Sequence, residues 1–165
     1  MDLKKPNTIE EIKSLCFSQD IQTRQNLHSL MINNLARLLV RNNFRVEVES
    51  PIFHDHLTLR TRVMEKTQGY IDLVAFGTSL KIAIEFDSRR SLKFKSIEKL
   101  LQCDADVLLG IVCGQSKGSD YRTDLDYNRE RVLGVMRGLG IYNRKVLLII
   151  LSEKISEEVS CGAML

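Results

Sequence analysis

Residues 69–87 read GYIDLVAFGTSLKIAIEFD and contain two strand-like runs separated by a turn. Both runs are rich in β-branched and aromatic residues, which favour extended backbone. Gly77-Thr78-Ser79, between the runs, has the composition of a tight turn. The segment therefore predicts an antiparallel hairpin whose strands cover Tyr70–Phe76 and Lys81–Asp87.

Two later segments, residues 106–112 and 146–151, are almost entirely apolar, as expected of strands that are buried on both faces. Helical periodicity occurs at about residues 92–103 and again at residues 127–138. A hairpin followed by buried strands that alternate with helices predicts an α/β fold with a mixed central sheet and helices on both of its faces.

The segment before the hairpin is less regular. Residues 8–18 predict a short helix, and a leucine stripe predicts a second helix from residue 21 to about residue 43. Residues 45–49 alternate as a strand does, and Pro51 is expected to end that strand. Residues 54–66 fit either a strand or an irregular excursion.

The chain has 165 residues, which suits one domain because domains usually contain about 100–200 residues. Neither a repeat nor a linker-like run indicates an internal boundary. We therefore predict a single domain over residues 1–165, with an N-terminal helical extension over residues 1–20 and a flexible tail over residues 153–165.

The overall charge and the cysteines exclude some classes of function. There are 24 Lys and Arg against 21 Asp and Glu, and a net charge of +3 does not by itself indicate nucleic-acid binding. Four cysteines without a C-x-x-C pair argue against a thiolate zinc site and fit a reducing compartment. The first residues do not resemble a signal peptide, and no apolar run approaches the ~20 residues of a membrane span. We therefore expect a cytoplasmic protein without a membrane partner.

Three carboxylates are candidates for chemistry. Glu85 and Asp87 are two residues apart on the second hairpin strand, so their side chains should share one face of the sheet. Asp72, on the first hairpin strand, can lie beside Glu85. Three acids that converge would repel one another, and a hard divalent cation with oxygen ligands, Mg²⁺ or Mn²⁺, would relieve the repulsion. We therefore predict that Asp72, Glu85 and Asp87 are metal ligands.

A basic segment follows the acids directly. Residues 88–96 contain Arg89, Arg90, Lys93 and Lys95 and no acid. Basic side chains beside a metal site suit a substrate that carries phosphate, through arginine contacts and a helix N-terminus. We predict that Arg89, Arg90 and Lys95 contact nucleic acid, although a solvated turn would have the same composition.

This pattern resembles the PD-(D/E)XK nuclease superfamily, which has the restriction-endonuclease-like fold. GYIDLV at residues 69–74 is similar to the first motif, and IEFD at residues 84–87 is similar to the second motif, acid-x-Lys. The resemblance covers roughly residues 26–112. It implies an αβββαβ core and metal-assisted hydrolysis of phosphodiester bonds, with Asp72 and Glu85 holding Mg²⁺ or Mn²⁺ and the Phe86 carbonyl as a further ligand.

The chain departs from the family pattern at the lysine, because Asp87 occupies the position where the family's lysine would orient the attacking water. Some subfamilies carry this lysine on the following helix instead. Because Lys93 lies one turn before Ile97 on the predicted buried stripe, we assign the catalytic role to Lys93, with Lys99 as the alternative. Lys95 and Lys99 are expected to point away from that stripe.

Further candidates are less specific. The family often adds an acid or Gln from the first core helix, and Gln25, His28 and Glu47 are all possible here. The His54-Asp55-His56 triplet has metal-ligand spacing, but such triplets more often lie on the surface.

The sequence thus predicts a Mg²⁺-dependent nuclease that acts on nucleic acid, with DNA as the expected substrate and a homodimer as one possible assembly. The alternative is a catalytically inactive relative that serves as a nucleic-acid-binding or assembly module, which the missing lysine would favour. Endonuclease and exonuclease activity both stay open, and so does RNA as the substrate.

Overall fold

The computed structural model describes residues 7–20, 26–58, 63–114 and 123–162, which form a six-stranded sheet with helices on both faces. No helix in these ranges combines the length and the apolar character that crossing a membrane requires. The elements, in chain order, are α1 (Thr8–Phe17), α2 (Leu27–Arg41), β1 (Arg45–Thr58), β2 (Val63–Phe76), β3 (Lys81–Asp87), α3 (Phe94–Gln102), β4 (Val107–Val112), α4 (Asp124–Leu139), β5 (Lys145–Ile150) and β6 (Ile155–Ser160).

The strands lie side by side in chain order, from β1 at one edge to β6 at the other. The pairs β1–β2, β2–β3 and β5–β6 are antiparallel, whereas β3–β4 and β4–β5 are parallel. The parallel pairs are joined through α3 and α4, as crossover connections require. The predicted mixed sheet with flanking helices is therefore confirmed.

Two apolar layers enclose the sheet, and β3 contributes to both. Ile82, Ile84 and Phe86 pack with α1 and α2, whereas Ala83 packs in the layer that contains α3 and α4. Glu85 and Asp87 follow the alternation of Ala83 and are buried on the α3 side. The period of the strand thus places both acids under α3.

The predicted hairpin is confirmed. β2 and β3 pair from Phe76↔Lys81 to Leu73↔Ile84, and the backbone N–H of Gly77 donates to the carbonyl of Leu80 at 2.8 Å to close the turn.

The prediction that Pro51 ends the first strand is wrong. β1 continues through Pro51 as far as Thr58, and Pro51 pairs with Tyr70 in the ladder. Residues 54–58 of the ambiguous segment are therefore strand. An edge strand accepts proline because the missing N–H can face solvent. β1 and β2 thereby form a long ribbon that extends past the end of β3.

The predicted flexible tail is also wrong for residues 155–160, which form β6 on the sheet edge. The polar sequence ISEEVS gives little sign of a strand, because only Val159 in it is buried and Ile155 is partly buried against the core. Ion pairs with residues of α4 and β5 stabilise the strand in place of an apolar pattern. The Arg129 guanidinium contacts both oxygens of Glu157 at 2.7 Å, and Lys145 lies 3.1 Å from Glu158.

The N-terminal extension is a helix that packs onto the domain. Its N-cap is Asn7, whose side-chain oxygen accepts a hydrogen bond from Ile9. Ile12 and Cys16 are fully buried against the α2 layer. α1 therefore contributes to the core.

Asn128 of α4 fixes the connection between β3 and α3. It is fully buried, and its side-chain oxygen accepts from the N–H of Leu92 at 3.0 Å. Its amide group donates to the carbonyls of Arg90 at 3.0 Å and Asp124 at 2.8 Å. One side chain thus satisfies the backbone of the segment that follows the β3 acids.

Replacement of Asn128 by Ala should lower the free energy of unfolding by about 2–4 kcal/mol, because it removes three side-chain hydrogen bonds and leaves the buried N–H of Leu92 without this acceptor. Urea denaturation measures this change. The matched control is Asn143→Ala, which removes an exposed amide. A loss below about 1 kcal/mol for Asn128→Ala would contradict the anchoring role.

Candidate active site

A polar cleft of about 370 Å³ opens where β3 ends, between β2, β3, α2 and the start of α3. Both signs of charge meet in it. Its lining includes the carboxylates Asp72, Glu85 and Asp87 and the cations Arg89, Lys95 and Lys99.

The cleft forms because β2 and β3 separate after the pair Leu73↔Ile84. Beyond that pair, hydrogen bonds from the backbone of one strand to a carboxylate of the other take the place of the backbone ladder. The carboxylate of Asp72 accepts a hydrogen bond from the backbone N–H of Phe86 at 2.8 Å, and the backbone N–H of Asp72 donates to Glu85 Oε1 at 3.3 Å. These two bonds tie the side chain of each predicted acid to the backbone of the other strand, so Asp72 and Glu85 are neighbours where the hairpin opens.

An irregularity in β1 lies opposite Asp72. Glu49 has a φ of 53°, and the ladder pairs Val48↔Leu73 and Ser50↔Ile71 flank the Glu49–Asp72 position. Ile71 packs in the α3 layer, whereas Leu73 packs in the α2 layer. The in–out alternation of β2 therefore shifts at Asp72, which directs this carboxylate toward α2.

Glu85 is the most deeply buried acid of the cleft, with its side chain 3% exposed. Burial and, to a lesser extent, the negative charge of Asp72 together raise the pKa of Glu85 to about 7, against the lowering effect of Lys99 and of a hydrogen bond from Ser96. The carboxyl group is therefore poised between its neutral and ionised forms near neutral pH.

Lys99 is the cation that reaches Glu85. Its Nζ lies 2.7 Å from Glu85 Oε1 and 2.5 Å from the carbonyl of Tyr70, and its side chain is 14% exposed. Lys99 stands three residues after the buried Ser96, which places both on the same face of α3. Although the sequence pattern predicts that Lys99 points away from the buried stripe of the helix, its ammonium reaches the buried Glu85.

Lys93, the predicted catalytic lysine, lies at the rim of the cleft. It is the N-cap of α3 with extended backbone, and its side chain is 68% exposed. Its Nζ lies 3.7 Å from Asp87 Oδ1. The helical projection that favoured Lys93 fails because α3 begins one residue later, at Phe94.

Asp87 lines the same cleft as the other two acids and is engaged by the start of α3. Its Oδ2 accepts a hydrogen bond from the backbone N–H of Lys93 at 3.0 Å, which places a negative charge at the N-terminus of α3. In the part of the chain that the structure describes, no three His, Cys, Asp or Glu side chains are grouped so that they could hold a metal ion. The prediction that Asp72, Glu85 and Asp87 together hold a metal ion therefore finds no support in their grouping and stays a prediction. The site has a pair of acids, Asp72 and Glu85, and a lysine.

His28 is the member of the additional candidates that reaches the cleft. Its Nε2 lies 3.3 Å from Asp72 Oδ2, and its ring centroid is 5.7 Å from that of Phe86. Glu47 contacts Arg45 and Ser50 on β1, and the hydrogen bond from Arg45 lowers the pKa of Glu47. Gln25 lies outside the described residues.

The predicted nucleic-acid contacts divide into two groups. Arg89 and Lys95 line the cleft together with Lys93. Arg90 is instead engaged inside the domain, with its Nε 2.9 Å from Asp124 Oδ1 and its guanidinium 4.6 Å from the centre of the Tyr127 ring. Arg90 therefore stabilises the contact with α4, and the prediction that it faces a substrate finds no support in its contacts.

The His54-Asp55-His56 triplet attaches the β1–β2 ribbon to α3. His56 Nδ1 lies 2.8 Å from Glu98 Oε2, and the backbone of Asp55 exchanges two hydrogen bonds with the side chain of Gln102. His54 is only 2% exposed, and this burial lowers the pKa of its imidazole. The expectation of a surface position is therefore wrong for His54.

Comparisons with known proteins give little guidance. Neither the models of known families nor the curated proteins contain a match. Among solved structures, the chain is similar to one described as "Crystal structure of SSO0001", with a TM-score of 0.37 and 14% identity. The alignment covers 97% of this chain and 63% of that chain, so this chain spans less than two thirds of that protein.

The raised pKa of Glu85 predicts a pH dependence of stability in the metal-free protein. The stabilising contribution of the protonated carboxyl is complete below the unfolded-state pKa of 4.5 and is lost as the pH rises through the folded-state pKa of about 7. Wild-type stability relative to Glu85→Gln should therefore fall by up to about 3 kcal/mol across that range.

Urea denaturation at a series of pH values in the presence of a chelator measures this difference. The control is Glu158→Gln, which changes an exposed acid on β6. A wild-type curve that stays parallel to that of Glu85→Gln would contradict the shift.

Proposed function

We propose that the chain is a metal-dependent nuclease that hydrolyses phosphodiester bonds in nucleic acid, with DNA as its substrate. The observation that carries the proposal is the arrangement of Asp72, the buried Glu85 and Lys99 in one cleft, with the lysine ammonium 2.7 Å from the glutamate. Paired carboxylates and a lysine are the groups that the resemblance to PD-(D/E)XK nucleases implies.

The acid pair fits a divalent cation. Mg²⁺ is commonly held by one or two carboxylates, with water and substrate phosphate as its other ligands. Asp72 and Glu85 would supply the carboxylates, and the Phe86 carbonyl and His28 are further ligand candidates. When bound, Mg²⁺ or Mn²⁺ lowers the pKa of a coordinated water and neutralises negative charge that develops on the phosphate.

Lys99 takes the role that the sequence pattern predicts for Lys93. Its ammonium is held by Glu85 and by the Tyr70 carbonyl, so its position is fixed before a substrate arrives. A preorganised positive charge of this kind stabilises negative charge in a transition state. Asp87 occupies the position of the motif lysine. Lys99, twelve residues later on α3, brings a lysine side chain into the cleft instead.

Two further features support the proposal. α2, β1, β2, β3, α3 and β4 follow one another in the αβββαβ order that the resemblance implies. In addition, Arg89, Lys93 and Lys95 give the cleft a local positive charge that the net charge of +3 does not reveal. This surface can attract a phosphate backbone.

An inactive nucleic-acid-binding or assembly module is the second candidate. The same Lys99–Glu85 pair favours it, because a lysine can neutralise the buried carboxylate without any metal. Asp87 at the lysine position is consistent with that loss of activity. A metal-binding measurement separates the two candidates.

Saturating Mg²⁺ or Mn²⁺ should stabilise the wild-type protein, by about 3 kcal/mol at a hundredfold excess over the dissociation constant. Asp72→Asn should abolish this stabilisation, because it removes one charged ligand. Thermal unfolding with and without metal measures the effect, and Asp106→Asn, outside the cleft, is the matched control. A wild type that does not respond to either metal would leave the inactive module as the better account.

Cleavage assays on linear, circular, branched and single-stranded substrates test the lysine assignment. Lys99→Ala should lower turnover by about a hundredfold or more, the usual cost of losing a preorganised charge-stabilising donor. Lys93→Ala should lower it less, because its side chain is largely exposed. Lys145→Ala, on β5, controls for the loss of a surface charge. A larger loss in Lys93→Ala would reverse the assignment.

A further inference from the structure

Two aromatic side chains stand exposed on the β1–β2 ribbon. Phe53 of β1 is 67% exposed, and Tyr70 of β2 is 55% exposed. The ladder pairs Pro51 with Tyr70 and Phe53 with Gln68, so the two rings are diagonal neighbours on one face. Diagonal neighbours in a sheet are about 7–8 Å apart, within reach of aromatic side chains.

This face is the one that turns away from α3. The next residue along β1, His54, is buried toward Glu98 of α3, and Ile71 packs in the α3 layer. Phe53 and Tyr70 therefore project to the opposite side. Asp72, two residues after Tyr70, also turns that way, because it contacts His28 of α2.

The aromatic face is therefore continuous with the candidate active site. Two strand residues span about 7 Å, so the Tyr70 ring stands close to the Asp72 carboxylate along the same strand. The Tyr70 carbonyl also accepts a hydrogen bond from Lys99. The cations Arg89 and Lys95 line the same cleft as these acids.

Exposed aromatic rings near basic side chains such as Arg89 and Lys95 have the chemistry of single-strand binding. Unpaired bases stack on aromatic side chains, whereas bases inside a duplex do not offer their faces, and basic side chains hold the phosphates. The combination of rings and adjacent positive charge favours a nucleic acid over a purely apolar partner.

We propose that Phe53 and Tyr70 form a stacking platform for the unpaired bases of single-stranded DNA whose backbone enters the cleft at Asp72. This inference rests on the proposed nuclease function and specifies its substrate as a single strand or an unpaired end. Phe53 and Tyr70 bind the strand through its bases, and Arg89 and Lys95 bind it through its phosphates.

Binding is tested without catalysis, in the presence of EDTA. The probe is a labelled oligothymidine of about 12 nucleotides, within the usual range of single-strand binding sites, and the readout is fluorescence anisotropy. The double variant Phe53→Leu/Tyr70→Leu keeps apolar bulk but removes both aromatic faces. It should weaken binding by at least about fivefold, the lower bound for loss of one stacked base.

Matched variants identify the cause. Phe53→Tyr and Tyr70→Phe keep the rings and should bind as the wild type does. Val40→Ala removes an exposed apolar side chain from α2 and should also leave binding unchanged. A blunt duplex of the same length should show no dependence on the rings. Equal single-strand affinity in the wild type and the double Leu variant would overturn the platform.

Two other occupants give distinct results. If the rings join two copies of the chain, sedimentation will show that the double Leu variant loses a dimer while its oligothymidine affinity is retained, which overturns the proposal. If an oligouridine of the same length binds in a ring-dependent way and oligothymidine does not, the assignment to DNA is overturned.

Cleavage with Mg²⁺ or Mn²⁺ separates this inference from the proposed function. Ring-dependent binding without any cleavage by the wild type refutes the nuclease and retains the platform. Cleavage of single strands that the double Leu variant performs at the wild-type rate refutes the platform and retains the nuclease.

Discussion

The ion pair between Glu85 and Lys99 connects three elements at the point where the central sheet opens. A carboxylate that is 3% exposed at the end of β3 is costly to ionise, and the ammonium from α3 offsets part of that cost while it also bonds the Tyr70 carbonyl on β2. Burial and the negative charge of Asp72 both disfavour ionised Glu85, whereas Lys99 favours it. The cleft exists because β2 and β3 exchange backbone pairing for these side-chain contacts.

The surrounding structure holds that arrangement in place from both sides. Asn128 satisfies the backbone after β3, and Asp87 accepts from the first N–H of the α3 region, so α3 starts in a defined position relative to Glu85. The β1–β2 ribbon is fixed to the same helix through His56 and Gln102. α3 is thus clamped at its start and along its length, which fixes the direction from which Lys99 enters the cleft.

Local sequence predicted the fold where pattern and tertiary context agree. The hairpin of residues 70–87 and the apolar strands β4 and β5 were predictable, because β-branched runs and buried parallel strands leave a strong signal. Pro51 and β6 were not predictable in the same way. An edge strand tolerates proline, and a polar edge strand is stabilised by partners such as Arg129 that are distant in sequence.

The sequence by itself determined the mixed α/β class and the proximity of Asp72 to Glu85, since a hairpin of known length leaves little freedom in which residues face each other. Only the tertiary structure decided which lysine meets those acids. Lys93 and Lys99 differ by less than two helical turns, and the choice depends on where α3 begins and how it lies on β2 and β3. That geometry arises from the packing of segments that are distant in sequence, so the hydrophobic periodicity of the helix does not predict it.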